Sequence, residues 1–272
     1  MNSRLQAAFA AARAEGRAAL IGYLPAGFPT AEGSVRLIQA MVHAGVDIIE
    51  VGLPYSDPLM DGPVIQEAVD VALRGGTTTD VVLQTVANVS AAGATALVMS
   101  YWNPIERYGV DRFARALSDA GGVGVITPDL TPEEAGPWFA ATDATGLGRV
   151  FLVAPSSTDE RISLISGACT GFVYAASTMG VTGVRASIGV DAQALVERAK
   201  AHAQVPVAVG IGVSSGEQAR EVAAYADGVI VGSAFIRCVL RAPSEGEAEA
   251  AVAELASQLA AGIREPAEVR VR

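Results

Sequence analysis

The sequence predicts a closed (β/α)8 barrel, the TIM barrel, and the pattern of apolar segments is the first reason. Eight short, almost wholly apolar segments recur along the chain, as expected of parallel strands that are buried on both faces. Stretches with helix signals separate them, which is typical of an α/β fold with a parallel sheet. The predicted strands are Ala19 to Leu24, Asp47 to Val51, Ala96 to Tyr101, Val123 to Thr127, Val150 to Val153, Gly171 to Ala175, Val205 to Val209 and Gly228 to Val231.

The intervening segments carry helix signals of two kinds. Val35, Ile38 and Val42 fall on one helical face, which is the spacing of a helix that buries one side. Thr131–Glu134 and Ser214–Glu217 have the spacing of a capping box, in which a hydroxyl and a carboxylate three residues later close the start of a helix. We therefore expect helices to begin at both.

Chain length and the two ends complete this outline. The chain has 272 residues, 51% of them hydrophobic and 18% charged, and α/β barrels of about 250 residues commonly form one domain. We expect a single domain over residues 1–272, with an extra amphipathic N-terminal helix within residues 1–15 rather than a secretory signal. Residues 244–261 predict a last helix packed outside the barrel, and residues 264–272 are expected to be frayed.

An open, doubly wound sheet is the alternative architecture. Such a sheet is usually shorter, and the first βα turn, Pro25 to Pro29, lacks the GxGxxG spacing of a dinucleotide-binding fold. Both observations favour the closed barrel.

Charge and cysteine content exclude several classes of partner. A net charge of −10 and an isoelectric point near 4.7 repel nucleic acid and anionic lipid surfaces. No apolar stretch approaches the ~20 residues that cross a bilayer. Cys169 and Cys238 lie far apart without metal-ligand spacing, which predicts two reduced thiols, no metal site and a cytoplasmic protein.

Two carboxylates lie at the end of the predicted barrel where such enzymes carry their reacting groups. Glu50 closes a buried strand, and Asp61 follows eleven positions later on the proline-pinned loop Pro54–Pro63. The arrangement favours paired acid and base groups, although a carboxylate at a barrel mouth can also be a salt-bridge or capping partner. The polar and glycine residues expected on this side are Glu50, Asp61, Tyr101, Asn103, Asp129, Tyr174, Thr182, Gly183, Gly210, Gly212, Gly232 and Ser233.

The basic residues narrow the chemistry further. The chain contains one lysine, Lys200, and two histidines, His43 and His202. All three fall in helices that precede strands, toward the opposite end of the barrel. A lysine Schiff base and a histidine-bound metal are therefore excluded by position, and general acid–base catalysis by carboxylates remains.

Glycine-rich loops after the last two strands predict a phosphate site. Gly210–Ser215 and Gly232–Ala234 each lead into a helix start, where backbone N–H groups hold an anion without a lysine; tight-turn glycines are the alternative. The loop Thr178–Gly189 after strand six predicts a lid that closes over the phosphate, with a merely mobile connection as its alternative.

Taken together, the motifs resemble those of a known enzyme family. Ile49–Gln66 is close to the most specific signature of the tryptophan synthase α subunit, and Tyr101–Pro104, Gly180–Gly183 and Gly232–Ser233 fit the same pattern in the same order. The resemblance covers most of the chain. It implies a lyase of tryptophan biosynthesis that splits indole-3-glycerol phosphate into indole and glyceraldehyde 3-phosphate.

The resemblance also implies roles for individual residues. Glu50 would protonate C3 of the indole ring and collect the glycerol hydroxyl proton, while Asp61 would accept the indole N–H and stabilise the cationic intermediate. Thr182, in the lid, would help draw Asp61 into place. The implied substrate-binding residues are Tyr101, Tyr174, Thr182 and Ile211, and the implied phosphate-binding residues are Gly183, Gly212, Gly232 and Ser233.

Three residues depart from the common family pattern. Tyr55 and Met60 stand where phenylalanine and alanine are frequent, and Ile211 stands where a phenylalanine often lines the pocket. These changes bear on loop dynamics and affinity more than on the type of reaction.

The resemblance further implies a partner. The family works with a β subunit that carries pyridoxal phosphate and receives indole through a tunnel, so an α2β2 assembly is expected. The apolar and proline residues of Pro54–Pro63, with Pro104 and Ile105, are candidate contacts; solvent-facing loops are the alternative. No cofactor is expected in this chain, because no lysine is placed to hold pyridoxal phosphate.

Two other functions stay open at this point. One is a different phosphate-binding biosynthetic barrel, such as a phosphoribosyl isomerase or an indole-glycerol-phosphate synthase, the latter expected to use a lysine at the mouth. The other is a non-catalytic activator of a β subunit, which would have no chemical need for Glu50 or Asp61.

Overall fold

The computed structural model of the chain describes residues 3–176 and 185–265. Eight parallel strands close into a barrel in chain order, with β8 paired to β1. The register places Tyr23 of β1 opposite Glu50 of β2, and Ile21 opposite Ile230 at the closure. The predicted (β/α)8 barrel is confirmed. Its strands are β1 (Ala19–Pro25), β2 (Ile48–Gly52), β3 (Ala96–Met99), β4 (Gly124–Ile126), β5 (Gly148–Val153), β6 (Val173–Ala176), β7 (Val207–Gly210) and β8 (Gly228–Val231).

Helices surround the barrel on its outside. In α2 the predicted face is the buried one, since Ile38 is fully buried and Val35 and Val42 pack against the core. The helices are α1 (Ser3–Ala14), α2 (Ala31–His43), α3 (Pro63–Arg74), α4 (Thr79–Ala91), α5 (Trp102–Tyr108), α6 (Val110–Asp119), α7 (Gly136–Thr145), α8 (Asp159–Ala168), α9 (Arg185–His202), α10 (Gly216–Ala223), α11 (Ser233–Arg241) and α12 (Glu245–Arg264).

The N-terminal helix α1 closes one end of the barrel. Its residues Leu5, Phe9 and Ala12 are buried in one apolar cluster with inward side chains of the strands. The ring centroid of Phe9 lies 5.7 Å from that of Phe172, just before β6. The predicted extra helix is confirmed, and it covers the N-terminal ends of the strands.

The last helix, α12, packs outside the barrel against α2, α10 and α11, as predicted. Gly262 allows the close approach to α10, because a Cβ there would overlap the carbonyl of Gly216. The expected frayed tail begins too early, because Arg264 is the last residue of α12 and Glu265 accepts a hydrogen bond from Arg220 at 2.8 Å. Residues 266–272 lie outside the described residues. A single domain over residues 1–272 stays a prediction, supported by the packing of both α1 and α12 on the barrel.

Both predicted helix starts need correction. Thr131–Glu134 forms a turn, in which the Glu134 N–H donates to the Thr131 carbonyl at 3.1 Å, and α7 begins only at Gly136. The Thr131 hydroxyl bonds to the Glu134 carboxylate instead of its backbone, so no cap forms. At α10 the cap is Ser215, one residue later than predicted, and its hydroxyl accepts the Gln218 N–H at 3.3 Å.

The described residues contain neither a membrane-spanning helix nor a cluster of metal ligands. Within residues 3–176 and 185–265, no helix combines the length and apolar character that crossing a membrane requires. The same residues hold no group of three or more His, Cys, Asp or Glu side chains arranged to bind a metal ion.

Candidate active site

A cavity of about 530 Å³ opens at the C-terminal end of the barrel strands. This volume lies within the roughly 300–1,000 Å³ typical of sites for small organic ligands. Inward side chains of four strands form its apolar lining, and the loops after β2, β7 and β8 contribute the rest. The apolar side chains from the strands are Met99, Ile126, Leu152 and Ile230.

Glu50 lies in this cavity on β2, opposite Tyr23 on one side and Leu97 on the other. Its side chain is 2% exposed, and Oε1 has no hydrogen-bond partner among the described residues. Because burial penalises the charged form, it raises the pKa of Glu50 to about 8. Glu50 is therefore mainly protonated at neutral pH, the state that a proton donor needs.

Asp61 reaches the same cavity from the loop between β2 and α3. Gln66 Nε2 donates to the Asp61 carbonyl at 2.8 Å, and Tyr101 Oη accepts the Met60 N–H at 3.0 Å. Burial raises the pKa of Asp61, and a hydrogen bond from the Tyr101 hydroxyl offsets part of this rise. Asp61 is thus held by groups behind the loop, not by neighbours in a strand.

Two tyrosines bring phenol groups into the cavity, and glycines make room for them. A Cβ at Gly210 would overlap Tyr174 Oη, and one at Gly52 would lie 2.5 Å from Tyr23 Oη. Burial, followed by the nearby charges of Glu50 and Asp61, raises the pKa of both tyrosines. Both phenols stay protonated at neutral pH and can donate hydrogen bonds to a ligand.

The loops after β7 and β8 meet at one edge of the cavity. Gly212 has φ +75°, a left-handed conformation that favours glycine. The start of α11 at Ser233 has no side-chain cap, whereas Ser215 caps α10. The first N–H groups of α11 therefore remain available for an anion, as the predicted phosphate site requires.

Comparison with known proteins settles the family. Residues 9–264 match the family model described as tryptophan synthase alpha chain. The chain belongs to the tryptophan synthase alpha chain family. It is 61% identical over 252 residues to the tryptophan synthase alpha chain of Acidothermus cellulolyticus, covering 93% of this chain and 94% of that protein. A Mycobacterium tuberculosis tryptophan synthase structure has a TM-score of 0.90 at 52% identity, covering 97% of this chain and 100% of the other. Tryptophan synthase subunit alpha from Legionella pneumophila str. Paris has a TM-score of 0.87 at 33% identity, with coverages of 97% and 98%.

Membership of the tryptophan synthase alpha chain family confirms the resemblance inferred from the sequence motifs. It also confirms the lyase class and the α-subunit role in tryptophan biosynthesis. The assignment of individual residues within the family reaction stays a prediction, which the geometry of the cavity supports.

The structure brings most of the predicted site residues together. Tyr101, Asn103 and Asp129 do not line the cavity. Tyr101 lies behind it, with its ring tilted by 36° against that of Tyr55 and 5.4 Å between the ring centroids. Its position supports the Asp61 loop, and its predicted contact with substrate stays untested. Thr182, Gly183 and the other lid residues 177–184 lie outside the described residues. The predicted residues that line the cavity are Glu50, Asp61, Tyr174, Gly210, Ile211, Gly212, Gly232 and Ser233.

The basic residues lie where the sequence places them. Lys200 Nζ is 3.1 Å from Asp227 Oδ1, and Asp227 also accepts the Val207 N–H at the start of β7. His43 and His202 are in the last turns of α2 and α9. Of these three, none lines the cavity, so carboxylates and phenols are its acid–base groups.

Sequence reasoning missed two polar residues of the cavity, Tyr23 and Arg237. Tyr23 was detectable in principle, because side chains two residues apart on a strand point to the same face, and Ile21 points into the barrel. Arg237 lies one helical turn after Ser233, a spacing that becomes informative only once α11 is known to start at the cavity.

Proposed function

We propose that this chain cleaves indole-3-glycerol phosphate to indole and glyceraldehyde 3-phosphate by general acid–base catalysis, with Glu50 as the acid. One observation carries the proposal. Glu50 is a buried carboxyl group with a raised pKa, one of its oxygens has no hydrogen-bond partner among the described residues, and it lines a cavity large enough for a small organic ligand. A carboxyl group buried without a partner destabilises a fold, and such groups concentrate where chemistry needs them.

Glu50 acts twice in the proposed reaction. Its proton passes to C3 of the indole ring, which becomes a cationic leaving group. The resulting carboxylate then takes the proton of the adjacent glycerol hydroxyl as the carbon–carbon bond breaks. The electrons of that bond restore the aromatic ring, the hydroxyl carbon becomes the aldehyde of glyceraldehyde 3-phosphate, and Glu50 ends protonated again.

Asp61 supplies the complementary charge. As C3 gains a proton, positive charge develops at the ring nitrogen, and a carboxylate accepting its N–H stabilises that charge. The Tyr101 hydroxyl aids this role, because its hydrogen bond offsets the effect of burial and favours the ionised form of Asp61. Tyr174 positions the substrate from the opposite wall of the cavity.

The substrate phosphate binds at the edge formed by the loops after β7 and β8. Gly212, Gly232 and Ser233 offer backbone N–H groups there, and we propose that Gly183 adds another when the lid closes. Thr182 draws Asp61 inward in that closed state. Ile211 and the apolar strand residues then contact the indole ring.

We further propose that the chain works as the α subunit of an α2β2 assembly in the cytoplasm. Leu59 and Met60, on the loop that carries Asp61, are 79% and 53% exposed, and exposed apolar side chains of this size suit a protein interface. The unpaired Cys169 and Cys238 suit a reducing compartment. In this proposal pyridoxal phosphate is held by the β subunit, and no cofactor is held here.

Indole release tests the proposal directly. Purified chain given indole-3-glycerol phosphate should release indole slowly, and faster once the cognate β subunit is added. A chelator should not change either rate. If no indole appears with or without the β subunit, the lyase proposal fails.

A doubly substituted chain separates the lyase from a non-catalytic activator. The Glu50→Gln, Asp61→Asn chain should release no indole while still binding the β subunit. If indole release with the β subunit persists in that variant, the two carboxylates are not the catalytic groups.

A further inference from the structure

We infer that Arg237 is a further substrate-binding residue, whose guanidinium contacts the phosphate of the substrate from the second turn of α11. The inference deepens the proposed function and rests on it. Arg237 lines the cavity together with Ile211, Gly212, Gly232 and Ser233, the residues of the proposed phosphate edge.

The helix geometry directs the side chain toward that edge. Ser233 is the first residue of α11, so Arg237 stands four positions later on the same helical face. Side chains on a helix lean toward its N-terminus, and here the N-terminus is the end that faces the cavity. The guanidinium therefore extends back over the uncapped first turn, where the backbone N–H groups also converge.

Charge makes Arg237 distinct within the cavity. The described residues that line the cavity include two carboxylic acids, Glu50 and Asp61, and Arg237 is the one basic residue among them. The whole chain carries a net charge of −10, which repels a phosphate dianion at a distance. A cation beside the phosphate edge offsets this repulsion and adds charge-assisted hydrogen bonds to the neutral backbone donors.

The guanidinium is also available to a ligand. Arg237 is half-buried, and its guanidinium makes no hydrogen bond or ion pair with the part of the chain that the structure describes. Other arginines of comparable burial are engaged, for example Arg220 with Glu265 at 2.8 Å and Arg198 with Asp159 at 2.8 Å. An unengaged arginine that lines a cavity of carboxylates, phenols and glycines has donors left for an incoming anion.

Arg237→Gln tests the inference, with Arg241→Gln as its matched control. Arg241 lies one turn further along α11, is exposed, and does not line the cavity. Both substitutions remove one positive charge from the same helix. Indole release is followed with the α chain in complex with its β subunit, and calorimetry measures binding of inorganic phosphate to the same complex.

We expect Arg237→Gln to raise the KM for indole-3-glycerol phosphate and the Kd for inorganic phosphate about ten-fold, the loss typical of one charge-assisted contact. The value of kcat should change little, because the contact is made equally in ground and transition states. Arg237→Lys should recover part of the loss. Since the group is only half-buried, high salt should narrow the difference from the unaltered chain.

Specific results would overturn the inference. It fails if the Arg237→Gln complex has the same KM for indole-3-glycerol phosphate and the same Kd for inorganic phosphate as the Arg241→Gln complex. It also fails if the unaltered complex binds no inorganic phosphate. It also fails if Arg237→Gln weakens binding of a phosphate-free indole alcohol to the same extent, since the residue would then act on overall structure. Absence of indole release by the unaltered complex overturns the lyase proposal instead, while the phosphate titration still decides the role of Arg237.

Discussion

The two carboxyl groups of the cavity are supported in opposite ways. Glu50 belongs to β2, which is paired along its length with β1 and β3, and its side chain is 2% exposed. Asp61 belongs to a loop whose neighbouring residues Leu59 and Met60 are 79% and 53% exposed. Glu50 is fixed by sheet pairing, whereas Asp61 depends on hydrogen bonds from Tyr101 and Gln66.

This difference separates two catalytic requirements. A proton donor needs a raised pKa, which deep burial in a rigid barrel supplies at Glu50. A charge stabiliser must approach the substrate after it binds, which a loop permits and a strand does not. Substitutions should therefore have their largest effect on turnover at Glu50, a smaller one at Asp61 and the smallest at Tyr101.

The largest effect is expected from Glu50→Gln. Glutamine keeps the shape of the side chain but has no carboxyl proton to transfer, so kcat for indole release should fall by about 10²–10⁴-fold. Glu67→Gln, an exposed change on α3, serves as the control and should leave the rate unchanged. A Glu50→Gln rate close to that of the control would remove Glu50 from the mechanism.

The same substitution should stabilise the fold at alkaline pH. The pKa of Glu50 rises from 4.5 to about 8 on folding, so the folded state binds the extra proton between these values. The contribution of protonated Glu50 to the free energy of unfolding is fully present below pH 4.5 and is lost as pH rises through about 8. Glutamine does not ionise, so the Glu50→Gln chain keeps this contribution. Its free energy of unfolding should exceed that of the unaltered chain by on the order of 4 kcal/mol at pH 9. Urea titrations at pH 5 and pH 9 measure this, and a difference independent of pH would contradict it.

Asp61→Asn should have a smaller effect that leaves the pH profile in place. Loss of one charge stabiliser should lower kcat about 10²-fold. In the unaltered chain, kcat should fall as pH rises through about 8, where Glu50 loses its proton. Because that fall belongs to Glu50, Asp61→Asn should show it at the same pH. If kcat of the Asp61→Asn chain no longer falls as pH rises through about 8, Asp61 is the acid.

The smallest effect is expected from Tyr101→Phe. The change removes the acceptor of the Met60 N–H and the donor to Asp61 while keeping the ring packed against Tyr55. We expect kcat to fall about 10-fold, with a loss of about 1 kcal/mol in the free energy of unfolding. Tyr55→Phe keeps the same ring pair and is the control, expected to match the unaltered chain. Equal rates for the two variants would show that Asp61 does not depend on Tyr101.

Much of the fold was predictable because each buried parallel strand can be recognised from a few consecutive residues. A run such as Gly228–Val231 is apolar on both faces and keeps its predicted bounds. The helix start at Thr131 was not predictable from its motif, because a capping box and a simple turn share the same four residue types. Backbone context after Glu134 decides between them.

In the candidate site, too, some residues were predictable from the sequence and others were not. Glu50 and Asp61 followed from their places at a strand end and in a loop, and both line the cavity. Tyr101 has the same kind of sequence position but lies behind the loop, because its hydroxyl is taken up by Met60 and Asp61. The cavity position of Tyr23 depends on Gly52 of the neighbouring strand β2, which leaves room for the phenol.

The barrel, the strand position of Glu50 and the distance of Lys200 from the cavity follow from periodicity and order along the chain, so the amino-acid sequence was enough to predict them. The chemical properties of these residues depend on the folded chain. Burial by residues from other strands raises the pKa of Glu50, α1 covers the opposite end of the barrel, and α11 brings Arg237 to the cavity. Burial and charge depend on distances between segments far apart in the chain, and only the closed barrel fixes those distances.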